Sequence, residues 1–346
     1  MKIGLEIGYL TPGSGDPVAL AREAEAAGFD SVWVSEAWGS DAVSVLAWIG
    51  ARTRRIGLGT AILPIGSRTP ALLAQTAATL DLLSGGRFRL GLGVSGPQVM
   101  EGWHGVPFAR PVTRLRETVA VVRRILRRAA PLTFSGETLQ LPMPAGTGLG
   151  KPLRIMLHPR RAEIPIWLAT IGPQATELTA EVADGWLPFL YSPEQAAAVW
   201  GPALAAGAAR RTRPDPLEIA PMVDTALGED LPRLRDRLRP GIALYVGGMG
   251  ARRKNFYNDL VNRYGYPDAA REIQDFYLAG KKQDAAAATP DALVDELALV
   301  GPAARIAERA AAYREAGVTT LIVAAPVNEE GGAVPGGLDA LRRACG

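Results

Sequence analysis

Eight short apolar runs, each parted from the next by a helix-length stretch, constrain this chain more than any other feature. The runs are Ile3–Ile7, Ser31–Val34, Ile56–Ile62, Phe88–Val94, Pro165–Thr170, Gly185–Pro188, Leu217–Thr225 and Thr320–Ala324. They are continuously apolar rather than alternating, which is the pattern of strands covered on both faces in a parallel sheet. The stretches between them carry helix punctuation. Asp16 is placed to cap a helix that has Pro17 at its first position and Gly28 at its end. Thr69–Leu83 repeats the device, with Pro70 at its start and Gly85–Gly86 as its stop. Arg110–Arg128 sets Leu115, Val119, Val122 and Leu126 along one face. Ala303–Ala316 ends at Gly317, just before the last run.

Eight β-α units in 346 residues fit a (β/α)8 TIM barrel, read as a single domain over 1–346. A doubly wound open sheet is the alternative. Two stretches exceed the eightfold rhythm. About 131–163 reads as a loop or β-excursion after the fourth helix, and about 240–300 reads as extra helices with flexible glycine joints. Both are insertions, after strands 4 and 7. Both are expected over the C-terminal rim, where barrel enzymes build their sites.

Composition narrows the function. With 48% apolar and 21% charged residues the chain can bury a large core, which excludes a disordered class. The 38 Lys+Arg and 35 Asp+Glu leave a net charge of +3, and no basic block interleaves with aromatics, so nucleic acid is not an expected partner. Cys345 is the lone cysteine, which excludes an intramolecular disulfide and a cysteine metal cluster. No run of about 18 apolar residues exists to span a membrane. The first apolar stretch is short and broken by Glu6, unlike a signal peptide. The expectation is a soluble cytoplasmic protein that acts on a small molecule and has no resident metal.

The motifs fall at strand ends. Gly91-Leu-Gly93-Val-Ser-Gly96 matches the dinucleotide fingerprint by letter, but Pro97 and Gly102–Gly105 follow it as an irregular loop instead of a helix. Its glycines suit close approach of a ligand or backbone at the strand-4 rim. Ser35-Glu36-Ala37-Trp38 puts a carboxylate and an indole at the end of strand 2; a helix cap near Asp41 is the structural alternative for Glu36. Trp103 and His104 follow strand 4. Thr60-Ala61-Ile62-Leu63-Pro64 must leave the sheet at its proline. Ile171-Gly172-Pro173 opens a helix with free backbone N–H groups, an anion-binding arrangement. Gly247–Gly250 precede the cations Arg252, Arg253 and Lys254, which suit phosphate or carboxylate. Walker A, HExxH, GxSxG and CxxC motifs are missing, and two histidines give little acid–base machinery, so a cofactor is expected to carry the chemistry.

The segments GFDSVWVSEAWGSD (28–41), RIGLGTAILPIGSRTPALLAQTAATLDLLSGGRFRLGLGVSGPQVMEGWHGVPF (55–108), IPIWLATIGPQATELTAEVADGW (164–186) and AGVTTLIVAA (316–325) resemble the bacterial luciferase-like superfamily. VSGPQVMEGW and GGMGARRKNFYNDL resemble its coenzyme F420-dependent oxidoreductases from actinobacteria. The resemblance implies a barrel with the deazaflavin ring in its mouth and hydride transfer between the ring C5 and a small organic substrate. It implies a bulge after strand 3 with a non-prolyl cis bond at Ala61–Ile62, and ring contacts from Glu36, Ser95, Gly96, Ile171, Gly172 and Pro173. The cofactor's anionic tail would meet Arg252, Arg253 and Lys254. Family helices pair into homodimers. Two departures stand out: the family's sugar-phosphate dehydrogenases carry a histidine where Ala37 stands and a glutamate where Gly96 stands. Reduction of an enone, imine or similar double bond therefore fits better, with a proton from Glu36, Tyr9, His104 or water. Tyr9, Trp38 and Trp103 would shape the substrate pocket. The alternatives are an FMN-dependent monooxygenase of the same superfamily, using oxygen, and a non-catalytic deazaflavin- or flavin-binding protein.

Overall fold

A computed structural model describes residues 1–11 and 14–346. Each predicted run holds one barrel strand: β1 (Lys2–Ile7), β2 (Ser31–Val34), β3 (Gly57–Thr60), β4 (Phe88–Gly93), β5 (Ile166–Ala169), β6 (Gly185–Trp186), β7 in two pieces (Glu218–Ile219 and Met222–Val223) and β8 (Thr320–Ala324). All neighbours are parallel. Lys2 of β1 lies opposite Thr320 of β8, and Gly4 lies opposite Ser31 of β2. The seventh strand closes the ring. Its first piece pairs with β6, Glu218 opposite Gly185, and its second pairs with β8, Met222 opposite Ile322. Between the pieces Pro221 lacks the N–H that a continuous ladder needs.

Helices α1 (Pro17–Ala27), α2 (Ala42–Gly50), α3 (Pro70–Leu83), α4 (Pro111–Arg127), α5 (Pro173–Val182) and α6 (Ala196–Ala208) follow the first six strands in turn. The caps read from sequence are made. Asp16 Oδ1 accepts from the Val18 N–H at 2.9 Å, and Thr69 Oγ1 accepts from the Leu72 N–H at 3.2 Å. Gly28 takes the left-handed φ of 84° that ends α1. After β7 come α7 (Leu231–Ala243), α8 (Phe256–Arg263), α9 (Pro267–Leu278), α10 (Lys282–Ala287), α11 (Asp291–Leu297) and α12 (Ala303–Glu315); α13 (Gly337–Cys345) follows β8. No helix among the described residues is long and apolar enough to cross a membrane.

Along β1, Ile3, Leu5 and Ile7 join the core beneath the helices, while Gly4 and Glu6 face the barrel interior. Trp33 and Trp167 fill that interior edge to face, with centroids 5.1 Å apart. They fit because Gly59 and Gly185 lie against the rings, where any Cβ would overlap an indole. At roughly 200 Å² of apolar burial each, the two indoles contribute about 5 kcal/mol apiece. They also separate a cavity at the C-terminal mouth from a smaller one at the foot, which Trp167 lines.

The two insertions behave differently. Residues 240–300 cover the mouth as expected: Gly241, Leu244, Tyr245, Gly248, Phe256, Tyr257 and Tyr277 all line it. Residues 131–163 do not, and none of them reaches the mouth cavity. By the time this segment begins, α4 has carried the chain back toward the N-terminal side of the barrel. Its short hairpin (Phe134–Ser135 with Gln140–Leu141) is pinned to the outside of α4 by Glu117. That carboxylate accepts from the backbone N–H groups of Glu137, Thr138 and Leu139 at 2.7–2.9 Å. Two local expectations also change. The segment after β4 coils into a π-helical turn (Gln98–Trp103) instead of an irregular loop. Gly247 and Gly248 are contact points rather than flexible joints, since a Cβ on Gly247 would stand 2.5 Å from Tyr277 Cβ.

Candidate active site

The mouth cavity has a volume of about 1260 Å³ and opens at the C-terminal ends of the strands. That exceeds the roughly 300–1,000 Å³ of an ordinary ligand pocket and leaves room for a tricyclic ring beside a second molecule. One wall is the bulge after β3, where Ala61–Ile62 is cis, as the resemblance implies. The next is built by Ser95 and Gly96 after β4, with Ser95 in the left-handed region at φ 54°. The third is Ile171-Gly172-Pro173 after β5. There Gly172 starts α5 without a side-chain cap, so the N–H groups of Gln174 and Ala175 stay free at the cavity edge. A Cβ on Gly8 or Gly172 would meet nothing within 4 Å, so both positions leave open space for a flat ring and its tail. The residues present thus fit a deazaflavin, with apolar walls for the ring and a positive helix end for a phosphate.

Glu36 lines the cavity, but its carboxylate is already engaged. Arg68 grips it through two nitrogens at 2.5 and 3.1 Å, and the Ala42 N–H at the start of α2 donates to it at 2.9 Å. Arg68 also binds Asp41, which caps the same helix through Ser44 N–H. Glu36 thus both lines the cavity and holds the start of α2. The group is a wall carboxylate held in place by Arg68 and the Ala42 N–H.

Deeper in the mouth two carboxyls are not ion-paired. Glu6, at the end of β1, faces the cavity with one hydrogen bond, from Ser35 Oγ at 3.1 Å. Burial raises its pKa from 4.5 to about 7; the charge of Asp224 adds to this and the Ser35 bond opposes it. Asp224, just past β7, is exposed to the cavity, whose walls raise its pKa above the ordinary carboxylate value by desolvation. Above them lies an aromatic wall. Phe189 and Tyr245 have centroids 4.4 Å apart, Tyr245 and Tyr257 5.0 Å, and Phe189 and Tyr257 5.9 Å. Tyr9 is held above its ordinary pKa by burial, then by Glu6 and Glu36.

Most of the remaining sequence candidates meet at this cavity. Tyr9, Trp38 and Trp103 line it, and the Tyr9 and Trp38 rings lie 6.4 Å apart. His104 does not: it is absent from the lining, and its Nε2 is buried without a partner. It lies one residue beyond the π-helical turn, which carries Trp103 to the cavity and His104 away from it. Arg252, Arg253 and Lys254 are exposed and also outside the lining. Arg252 is paired with Asp275, and Lys254 Nζ lies 5.7 Å from the ring centre of Phe108, itself a lining residue. The three cations stand at the rim, not in the cavity.

Sequence reasoning missed Glu6, Asp224, Arg68 and the Phe189–Tyr245–Tyr257 wall. For the two carboxyls a signal existed. A charge inside an apolar strand, in phase with inward-facing Gly4 or Met222, marks the barrel lumen. For the wall none existed, because Tyr245 and Tyr257 arrive on an insertion.

Comparison with known proteins agrees with this geometry. A 43% identical protein of Mycobacterium tuberculosis, matched over 95% of this chain and 96% of its own length, carries the provisional name coenzyme F420-dependent oxidoreductase. A 5,10-methylenetetrahydromethanopterin reductase of Archaeoglobus fulgidus is 27% identical over 89% of this chain and 88% of its own. The solved coenzyme F420-dependent tetrahydromethanopterin reductase of Methanopyrus kandleri superposes with a TM-score of 0.79, covering 99% of this chain and 97% of that one at 21% identity, which supports the barrel fold. The sequence profile of the luciferase-like monooxygenases matches residues 6–320, and with that match, on a closed barrel whose mouth is built for a ligand, the chain belongs to the luciferase-like monooxygenase family.

Proposed function

We propose that this protein is a coenzyme F420-dependent oxidoreductase that reduces an activated double bond, such as an enone or imine, of a small organic substrate. The observation that carries the reading is Glu6: a cavity-facing carboxyl, raised to about 7, at the closed end of a mouth too large for one ligand. Amino-acid side chains supply protons but no hydride, so a carrier must bring it. When bound, the deazaflavin supplies that hydride at C5. The relatives' names support F420 as the carrier.

The chain's own residues divide the remaining work. Ala61, Ile62, Ser95 and Gly96 back the ring, and Gly172 with Pro173 turns the free N–H groups of α5 toward the phosphate of its tail. Arg252, Arg253 and Lys254 meet the anionic end of the tail at the rim. Glu36, locked by Arg68, fixes the strand-2 wall. Glu6 holds the proton that the substrate takes up, at a pKa matched to neutral pH. Trp38 and Trp103 close the substrate side against water. Ala37 and Gly96 line the cavity where a sugar-phosphate dehydrogenase would need its histidine and glutamate, which disfavours that reaction.

The test is a titration of the purified protein with F420 and separately with FMN, read by tryptophan quenching. Micromolar or tighter F420 binding with feeble FMN binding is expected. The reverse preference would replace this reading with a flavin monooxygenase. Tight F420 binding without turnover of any enone, imine or alcohol would leave a binding protein.

A further inference from the structure

The charge inventory of the mouth is one-sided. Three carboxylates line it, Glu6, Glu36 and Asp224, and no lysine, arginine or histidine does among the described residues. Arg68 neutralises Glu36 from behind. Asp224 has no such partner: its carboxylate makes no hydrogen bond or ion pair with any described residue, and the residue is exposed toward the cavity.

A second observation concerns the surroundings of that carboxylate. Tyr245 lines the same cavity as Asp224, and burial, then the charges of Tyr257, Tyr9, Glu6 and Asp224, hold its hydroxyl protonated. Phe189 and Tyr257 complete the wall at centroid distances of 4.4 and 5.0 Å from Tyr245. Ring faces beside a carboxylate form the standard chemical environment for a cationic nitrogen: the rings contribute quadrupole attraction and the carboxylate contributes the counter-charge. The same wall and charge oppose phosphate and carboxylate substrates, because the one positive group of the mouth, the start of α5, is taken by the cofactor's tail.

We propose that the mouth selects a substrate bearing positive charge on nitrogen, an iminium ion or protonated amine, held between the Asp224 carboxylate and the Phe189–Tyr245–Tyr257 wall. This rests on the oxidoreductase reading above and narrows its substrate class. The charge also suits the reaction. Hydride from the reduced deazaflavin forms a C–H bond at the carbon of C=N⁺, and the π pair returns to nitrogen. The charge of C=N⁺ is cancelled in the step itself, and the amine formed takes up a proton only afterwards, from water.

The experiment compares three probes of one shape and different charge on the full chain: N,N,N-trimethylanilinium, tert-butylbenzene and benzenesulfonate. Binding is read by tryptophan quenching, in parallel with F420 titration. The cation is expected to bind at least tenfold more tightly than the neutral isostere, and the sulfonate not at all. Asp224→Asn should erase the cation preference while the neutral probe binds as before, and Tyr245→Leu should weaken the cation more than the neutral probe. Equal or tighter binding of tert-butylbenzene to the wild-type protein overturns the proposal without any variant having to fold. An Asp224→Asn protein that keeps the full cation preference overturns it as well. F420 binding without cation preference removes this inference and leaves the proposed function standing. Cation preference without F420 binding does the reverse.

Discussion

The two ends of the barrel hold similar residues in opposite arrangements. At the foot, below Trp33 and Trp167, a cavity of about 490 Å³ is lined by five arginines and five carboxylates, most of them tied to one another or to backbone. Asp81 nearby is fully buried and held by Arg161 at 2.5 Å, and Arg161 also donates to Phe88 O. Asp184 binds Arg123 and Arg213. Arg87 donates to the carbonyls of Ser84, Ile56, Gly50 and Thr53. At the mouth, Glu6 and Asp224 have no cation. Charges at the foot hold loops together; charges at the mouth are left available. A barrel spends stability at the face where it does chemistry and recovers it at the other.

The largest expected effect sharpens that contrast. Glu6→Gln should lower turnover of a neutral enone or imine, which must take up a proton, by roughly 10²–10⁴-fold, the range for removing a general acid, with F420 affinity retained. The same change should not destabilise. Glu6 favours the folded state most below its ordinary 4.5, and that contribution is lost as pH rises to about 7. At pH 8 the Gln variant should therefore melt at or above the wild-type temperature. A large loss of Tm with normal turnover would make Glu6 a foot-type residue and break the comparison.

Asp81→Ala should act in the opposite sense. It strands Arg161 and should cost about 3 kcal/mol in denaturant unfolding, with cofactor affinity unchanged in the folded fraction. Arg87→Met comes next, at about 2 kcal/mol, because four backbone carbonyls lose their donor. The smallest effect is expected at the rim. Arg252→Ala with Arg253→Ala should weaken F420 about tenfold, less so in high salt, since exposed charges contribute modestly. Unchanged affinity there would limit the tail contacts to the start of α5.

Which of these features were legible in advance follows from their range along the chain. The caps at Asp16 and Thr69 and the stop at Gly28 are decided within a few residues, and each formed as read. The cavity positions at Ala61–Ile62, Ser95–Gly96 and Ile171–Pro173 were implied by the family resemblance, and they could be placed because they sit directly on strand ends. His104 and the 252–254 cations failed to reach the cavity because the coil of one turn and the path of an insertion decide where they point. Arg68 stands 32 residues from Glu36, a pairing that only the adjacency of β2 and β3 creates.

By itself the sequence determined the eightfold alternation, the caps and a parallel sheet that fits a barrel, because hydrophobic period and local backbone chemistry are written residue by residue; the closure itself came from the two-piece seventh strand. The tertiary structure decided which carboxylates are paired and which are left free. Glu6 and Asp224 come from β1 and β7, which flank β8 in the ring but lie far apart in the chain, and the tyrosines come from a helical insertion. Their charge states depend on burial and neighbours that exist only once the ring has closed.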